Sequence, residues 1–399
     1  MDYSDRAKRL VDSPTLAIAA KAKALKASGV DVISFSAGQP NFPTPEHIKD
    51  AGIEAINTNQ TGYTASSGTP ELRAAVAEWM TREVGVKYGP EQILISPGAK
   101  FAISLTILAT VNPGEEVIFA APYWVSYPEM VGLADGKSVI AVTDRQSGFK
   151  MTPDQLDALI TPKTRMVLLN SPSNPTGALY SAKEIKALAE VLSTHPNIWV
   201  LSDEIYSRLI FDDVKHFSIA AVSVDMANRT AVVNGVSKAF SMTGWRLGWI
   251  AGPAELIANA GKMQSHTTSC PSSISQFAAR KAVTSPDAFL DEMLSAYRRR
   301  RDLFVELLRD IDGIIPFVPQ GAFYLFCDIR HYLGKRTPSG EIISSCLDFA
   351  GYLLDEARIA AVPGGAFGMD GYIRFSFACS DENIREGVMR IEKALVKLS

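Results

Sequence analysis

The stretch VSKAFSMTGWRLGW, residues 236–249, carries two cations, Lys238 and Arg246, in an otherwise almost uncharged run. An ammonium is ordinarily left in water, so a lysine in an apolar neighbourhood needs a chemical reason. The residues just before it, TAVVNG (230–235), read as a buried strand closed by a turn former. Working outward, the same pattern recurs in QILIS (92–96), EVIFA (116–120), RMVLLN (165–170) and NIWVLS (197–202). Helical patterns such as GAKFAISLTILATV and SAKEIKALAEVLS lie between several of them. From about residue 71 to about residue 251 strands and helices thus alternate, which predicts an α/β fold with a mainly parallel sheet covered by helices on both faces.

The chain has 399 residues, too many for a single core, so two domains are expected. A formal net charge of −3 leaves no footprint for nucleic acid or an anionic membrane. The longest apolar runs are shorter than a membrane span, and MDYSDRAKRL lacks the apolar segment of a secretory leader. Cys270, Cys327, Cys346 and Cys379 form no CxxC pair and read as reduced thiols in a cytoplasmic protein. Five dispersed histidines give no metal-ligand spacing, so no metal is expected. GLADGKS (132–138) has one residue too few between its glycines for a phosphate loop and reads as a loop between strands.

Beyond the alternating block, Ser285 and Pro286 read as the cap and first position of a long helix near 286–311. Its arginines, Arg298 to Arg301, read as one exposed face beside acidic neighbours. GAFYLFCDI, IAAVPGG and YIRFSFA then look like strands of a smaller α+β domain. The N-terminal segment, with the amphipathic pattern AIAAKAKALKASG, is expected to join it. The boundaries so read are a large domain over 46–290 and a small one over 1–45 with 291–399.

In open parallel sheets ligands bind beyond the carboxyl ends of the strands. The residues after each strand, in order, are Gly98-Ala99-Lys100, Pro122-Tyr123-Trp124, SPSNPTG (171–177) with Asn174, then Asp203, Glu204 and Tyr206, then Ser237 and Lys238. Each has an ordinary structural reading by itself: a turn, a core aromatic, a helix cap, a solvated lysine. Together they gather an anion-binding helix start, an aromatic face, an amide, a carboxylate, a phenol and an amine at one edge.

This ordered set resembles the fold-type I pyridoxal-phosphate enzymes, and within them the class I aminotransferases. The resemblance runs over nearly the whole chain through SAGQPNF, GYTASSGTPELR, SPGAK, PYWVSYPEM, NSPSNPTG, SDEIY, SKAFSMTGWRLG, GAFY and IRFSFA. PYWVSYPEM and the SPGAK lysine resemble the bacterial aspartate aminotransferases of the subgroup that includes aspartate/prephenate enzymes. The resemblance implies a large domain with a mostly parallel seven-stranded sheet. It implies pyridoxal 5′-phosphate covalently bound to Lys238, with Arg246, Ser237, Gly98, Ala99 and Lys100 around the phosphate. It implies Asp203 at the pyridine nitrogen, Asn174 and Tyr206 at the phenolic oxygen, and Trp124 stacked on the ring. Tyr63 would reach the phosphate of a neighbouring subunit, which implies a homodimer with shared sites. Arg374 would clamp the substrate α-carboxylate, with Gly38, Trp124 and Asn174 beside it. Lys100 and Thr15 would take an acidic side chain.

Val11 and Asp12 stand where that subgroup often has a basic residue and a proline. The reaction so implied is amino transfer between L-aspartate and 2-oxoglutarate. The alternatives are prephenate, aromatic or broad-specificity transamination, or a β-lyase on the same scaffold. Small amino and keto acids are the expected partners, with no nucleic acid and no membrane.

Overall fold

The computed structural model describes residues 2–10 and 14–399, of which 14–19 are described by backbone alone. Val11 and Asp12 lie outside the described residues. Strand β1 (Ile33–Ser34) precedes the main sheet, which is built from β2 (Ile93–Ser96), β3 (Glu116–Ala121), β4 (Lys137–Val142), β5 (Thr164–Asn170), β6 (Trp199–Asp203), β7 (Thr230–Gly235) and β8 (Gly248–Ala251). Their order is β2-β8-β7-β6-β5-β3-β4. Only β8 is reversed, pairing antiparallel with both β2 and β7.

The apolar runs are continuous because both faces of this sheet are covered. Along β5, Met166 and Leu168 face the layer that holds the helices Ala99–Thr110 and Ala254–Ser265. Val167 and Leu169 face the opposite layer, where the helix Ala182–Ser193 buries Ile185, Leu188 and Leu192. Ser181 caps that helix through a reciprocal pair with Glu184.

A second body of structure uses β9 (Ile315–Phe317), β10 (Tyr324–Asp328), β11 (Ile359–Ala360), β12 (Val362–Pro363) and β13 (Tyr372–Ser376). Four of these form an antiparallel sheet in the order β12-β13-β10-β9. β1 pairs in parallel with β11, which ties the N-terminal segment to the C-terminal part of the chain. Ile373, Phe375 and Phe377 alternate into the apolar core beside Phe35, Phe304 and Phe323. Arg374 falls on the other face, opposite Phe326 of β10.

Four details differ from the sequence reading. The long helix is Ala288–Arg309 with Asp287 at its N-cap, and Ser285 instead ends the preceding helix Ser273–Thr284. The four arginines do not share an exposed face: Arg300 and Arg301 are buried, with Arg300 on Asp381 and Asn41 and Arg301 bidentate on Asp212 at 2.7 and 3.0 Å. Consecutive helical positions are about 100° apart, so four in a row must sweep the whole circumference. Gly132 and Leu133 of GLADGKS end a helix, Ser126–Leu133, and its Lys137 and Ser138 begin β4. In the helix Pro14–Ala27 the described side chains, 20–27, are mostly exposed, with Ala22 buried and Leu25 partly so against Val32, Leu354 and Ala360.

Glycines let β7, β8 and the start of the helix Ala99–Thr110 approach closely. A Cβ on Gly248 would lie 2.4 Å from the Ala99 amide nitrogen and 2.9 Å from the Asn234 carbonyl oxygen. Backbone cannot yield as a flexible side chain can. We expect Gly248→Ala to lower stability by roughly 1–3 kcal/mol, as overpacking does, read as a lower urea midpoint.

Candidate active site

Parallel strands need long crossovers, whereas antiparallel neighbours can be joined by a short connection. β7 runs into the loop 236–247 and β8 returns from it, so this loop sits at the carboxyl edge of the sheet. Lys238 follows β7 by three residues and Arg246 precedes β8 by two. That reversal brings two residues distant along the loop to one edge.

The other strands end beside them. Asp203 is the last residue of β6 and Asn170 the last of β5. Asn170 Nδ2 donates to the Asp203 carbonyl (3.0 Å), and its Oδ1 accepts from the Asn174 amide (2.9 Å). One side chain thereby couples two strand ends and fixes the turn that carries Asn174. After β2, Gly98 adopts φ +88° and opens the helix Ala99–Thr110. Its missing Cβ makes room for the Arg246 guanidinium, since a Cβ there would fall 2.7 Å from Nη2. Arg246 itself takes φ +55°, and its Nη1 donates to the Thr243 carbonyl (2.9 Å).

These residues line a cleft of about 710 Å³ between the two sheets. Ala99, Lys100, Trp124, Asn174, Asp203, Tyr206, Ser237, Lys238, Arg246, Arg374 and Gly38 all border it. Gly98 lies directly beneath Arg246. Tyr63 is elsewhere, 94% exposed, on a segment held by Gln276, whose Oε1 accepts from the Thr69 amide and whose Nε2 donates to Thr64 Oγ1. Thr15 belongs to the helix Pro14–Ala27, and its side chain lies outside the described residues.

The electrostatics are lopsided. Asp203 is the one carboxylate lining the cleft among the described residues. It is buried, and burial pushes its carboxyl up to about 6, although the Tyr127 hydroxyl donates to Oδ2 at 2.6 Å and opposes that rise. Burial likewise brings the Lys238 amine down to about 8, with the charges of Arg374 and Arg246 adding to the effect. Its Nζ donates to the Gly38 carbonyl (2.5 Å) and lies 5.7 Å from the centre of the Tyr206 ring.

Arg374 is buried with no carboxylate partner among the described residues. Nη1 donates to Asn174 Oδ1 (2.9 Å), Nη2 donates to the Ser36 carbonyl (3.0 Å), and Nε has no partner. The guanidinium lies over Tyr324 at 4.3 Å, and the Tyr324 and Tyr206 hydroxyls are 2.9 Å apart. A buried guanidinium left without an anion is costly, so the cleft is built to receive one. Lys100 Nζ lies 4.9 Å over Trp124 in the same cleft.

Four residues shape the site without having been singled out in the sequence: Tyr127, Asn170, Tyr324 and Ser36. Tyr127 follows Trp124 by three positions in PYWVSYPEM; its backbone amide donates to the Trp124 carbonyl (3.0 Å) in the turn that enters the helix Ser126–Leu133, and the ring centroids are 5.4 Å apart. Tyr324 ends GAFY. Ser36 contributes a carbonyl, and a backbone oxygen leaves no signature in residue type.

Known proteins bear on this geometry. The model of the family "Aminotransferase class I and II" matches residues 30–391. The aspartate aminotransferase of Rhizobium meliloti (strain 1021) is 46% identical over 387 residues, 97% of this chain and 94% of that protein. The aspartate/prephenate aminotransferase of Cereibacter sphaeroides (strain ATCC 17029 / ATH 2.4.9) is 46% identical over 396 residues, 99% of each. The crystal structure of the aspartate aminotransferase from Rhizobium meliloti superposes with a TM-score of 0.97 at 45% identity over 100% of both chains. That of the Thermus thermophilus aspartate aminotransferase with maleate gives 0.93 at 38% identity, over 99% of this chain and 100% of that one. A cleft at the carboxyl edge of a seven-stranded sheet, with a half-buried lysine and a buried carboxylate and arginine, thus belongs to a chain matched along nearly its whole length, and this chain is a member of the class I and II aminotransferases.

Proposed function

We propose that the protein is an aspartate aminotransferase, passing an amino group reversibly between L-aspartate and 2-oxoglutarate to give oxaloacetate and L-glutamate by a ping-pong sequence. The observation that carries this reading is the buried Arg374, without a carboxylate partner among the described residues, in one cleft with Lys100 and, among the described residues, the single carboxylate of Asp203. Two cations from separate elements suit a substrate with two carboxylates. Arg374 takes the α-carboxylate through its planar fork. Lys100, with Thr15, takes the acidic side chain. The names of the relatives agree with it.

Family membership implies dependence on pyridoxal phosphate, and the residues present fit that group. The Arg246 guanidinium, the Ser237 hydroxyl and the Ala99 and Lys100 amides at a helix start form a cradle for its phosphate. Asp203, destabilised as an anion by burial, would gain from a protonated ring nitrogen, and Tyr127 holds its orientation. Asn174 and Tyr206 offer donors to the phenolic oxygen, and Trp124 offers a stacking face. Lys238 is the residue that would hold the group covalently. When bound, pyridoxal phosphate supplies the electron sink that lets an α-proton leave. Released when the substrate amine takes its place, Lys238 would take that proton from the substrate Cα on Nζ and hand it back within the cleft, so that no proton is lost to water.

We further propose a large domain over 46–290 and a small one over 1–45 with 291–399, supported by the pairing of β1 with β11. A homodimer in which Tyr63 reaches the partner's phosphate fits its exposure away from its own cleft. Cytoplasmic location fits four free thiols. Among the described residues no helix is long and apolar enough to cross a membrane.

The neutral amine is the nucleophile, so covalent uptake of pyridoxal phosphate by the cofactor-free protein should rise with pH through about 8 and level off above it. Borohydride should then trap label on Lys238, while Lys238→Ala should take none and lose ~10²-fold or more in turnover. Near-normal turnover in that variant would refute the assignment. Asp203→Ala should keep its circular dichroism yet lose roughly 10²–10³-fold in kcat; wild-type exchange of substrate α-protons would count against its role. Lys100→Ser should raise KM for aspartate roughly tenfold, the worth of one charged hydrogen bond, and move KM for alanine far less. A donor and acceptor panel including prephenate tests the substrate reading, and failure of both aspartate and 2-oxoglutarate would overturn it.

A further inference from the structure

Two more lysines reach the same cleft. Lys23 and Lys26, on the helix Pro14–Ala27, border it and are exposed to solvent at its rim. Three residues apart, they share a helix face. Neither makes an ion pair among the described residues. The charge of Lys26 is felt by Asp31, but that carboxylate is held by Arg390 at 2.5 Å. Lys21 of the same helix behaves differently: it turns away and pairs with Asp355 at 3.0 Å.

With these two the cleft lining holds, among the described residues, six cations, Lys23, Lys26, Lys100, Lys238, Arg246 and Arg374, against the single carboxylate of Asp203. Lone surface lysines are ordinarily just solvated. Like charges three apart on a helix repel, and these two repel the cleft's inner cations as well. They nonetheless face a cavity that already carries uncompensated positive charge. In a cleft with low-dielectric walls such a rim focuses the field and raises the local concentration of anions.

We propose that Lys23 and Lys26 form an electrostatic collar that draws dicarboxylates into the cleft and favours them over amino acids of zero net charge. The proposal rests on the aspartate reading of the site. The inner cations bind the two carboxylates; the collar acts on the approaching charge.

The test uses the holoenzyme and two charge-matched double variants, Lys23→Gln with Lys26→Gln, and Lys8→Gln with Lys21→Gln. Lys8 and Lys21 are engaged with Asp2 and Asp355, away from the cleft. At low ionic strength the collar variant should lose about fivefold in the aspartate-over-alanine ratio of kcat/KM, a modest steering effect. The loss should vanish near 1 M salt, where the screening length is about 3 Å. Calorimetric titration with maleate should show the same loss of affinity and the same rescue by salt. An unchanged ratio, an equal fall in the control variant, or a loss that persists in high salt would overturn the collar. A wild type that turns over alanine but not aspartate would overturn the aspartate reading instead, and the maleate titration then decides the collar by itself.

Discussion

Arg374, Lys238 and Arg246 converge on a space that offers them, among the described residues, one buried carboxylate, and the rest of the molecule exists to hold them there. Like charges in a half-enclosed cleft raise one another's free energy, and without anions the arrangement is a standing cost. The cost is offset by the cores of two bodies of structure. Arg374 stands opposite Phe326 in a sheet whose other face buries Ile373, Phe375 and Phe377. Lys238 and Arg246 are fixed by strands on both sides of their loop. A ligand that brings a phosphate and two carboxylates relieves what the fold imposes. Binding and chemistry then draw on one source, the uncompensated charge.

The same field sets proton affinities. Burial and two guanidinium groups bring the Lys238 amine down to about 8, so that a fair share is neutral near physiological pH. Burial pushes Asp203 the other way, to about 6, and Tyr127 keeps it oriented. One group is eased toward nucleophile and base. The other is made to gain from a cationic partner. Their environments differ although they share a cleft, which is how acid and base roles are separated at one pH.

The single reversed strand matters for the same reason. Had β8 continued in parallel, a helical crossover would have carried Arg246 to the far edge of the sheet. Returning at once, β8 leaves Arg246 over Gly98 at the start of the helix Ala99–Thr110, and Gly248 allows the close approach. Tyr206 extends the connection, leaving the main sheet after β6 to pack against Phe323 and Tyr324 at the start of β10 in the second sheet. The cleft is therefore a joint product of both bodies.

The strand ends were legible because a buried parallel sheet writes itself as short apolar runs, and the residues just past each run must lie on one edge. That placed Asn174, Asp203, Ser237 and Lys238 together from sequence alone, and alternation in YIRFSFA put Arg374 on the face away from the core. Strands β4 and β8 were not separated from their surroundings, since β4 is partly exposed and the apolar run of β8 continues straight from the loop. The arginine run was misread because two of its members pair with Asp212 and Asp381, partners about 80 to 90 residues away in the chain. What the sequence by itself determined was the alternation of elements and the inventory of charged groups at one edge. What only the tertiary structure decided was which of those groups lack a carboxylate partner among the described residues: Arg374 meets only neutral acceptors, Asn174 across 200 residues and Ser36 through a carbonyl. Periodicity is a local property of the chain, whereas pairing depends on where distant backbone comes to rest.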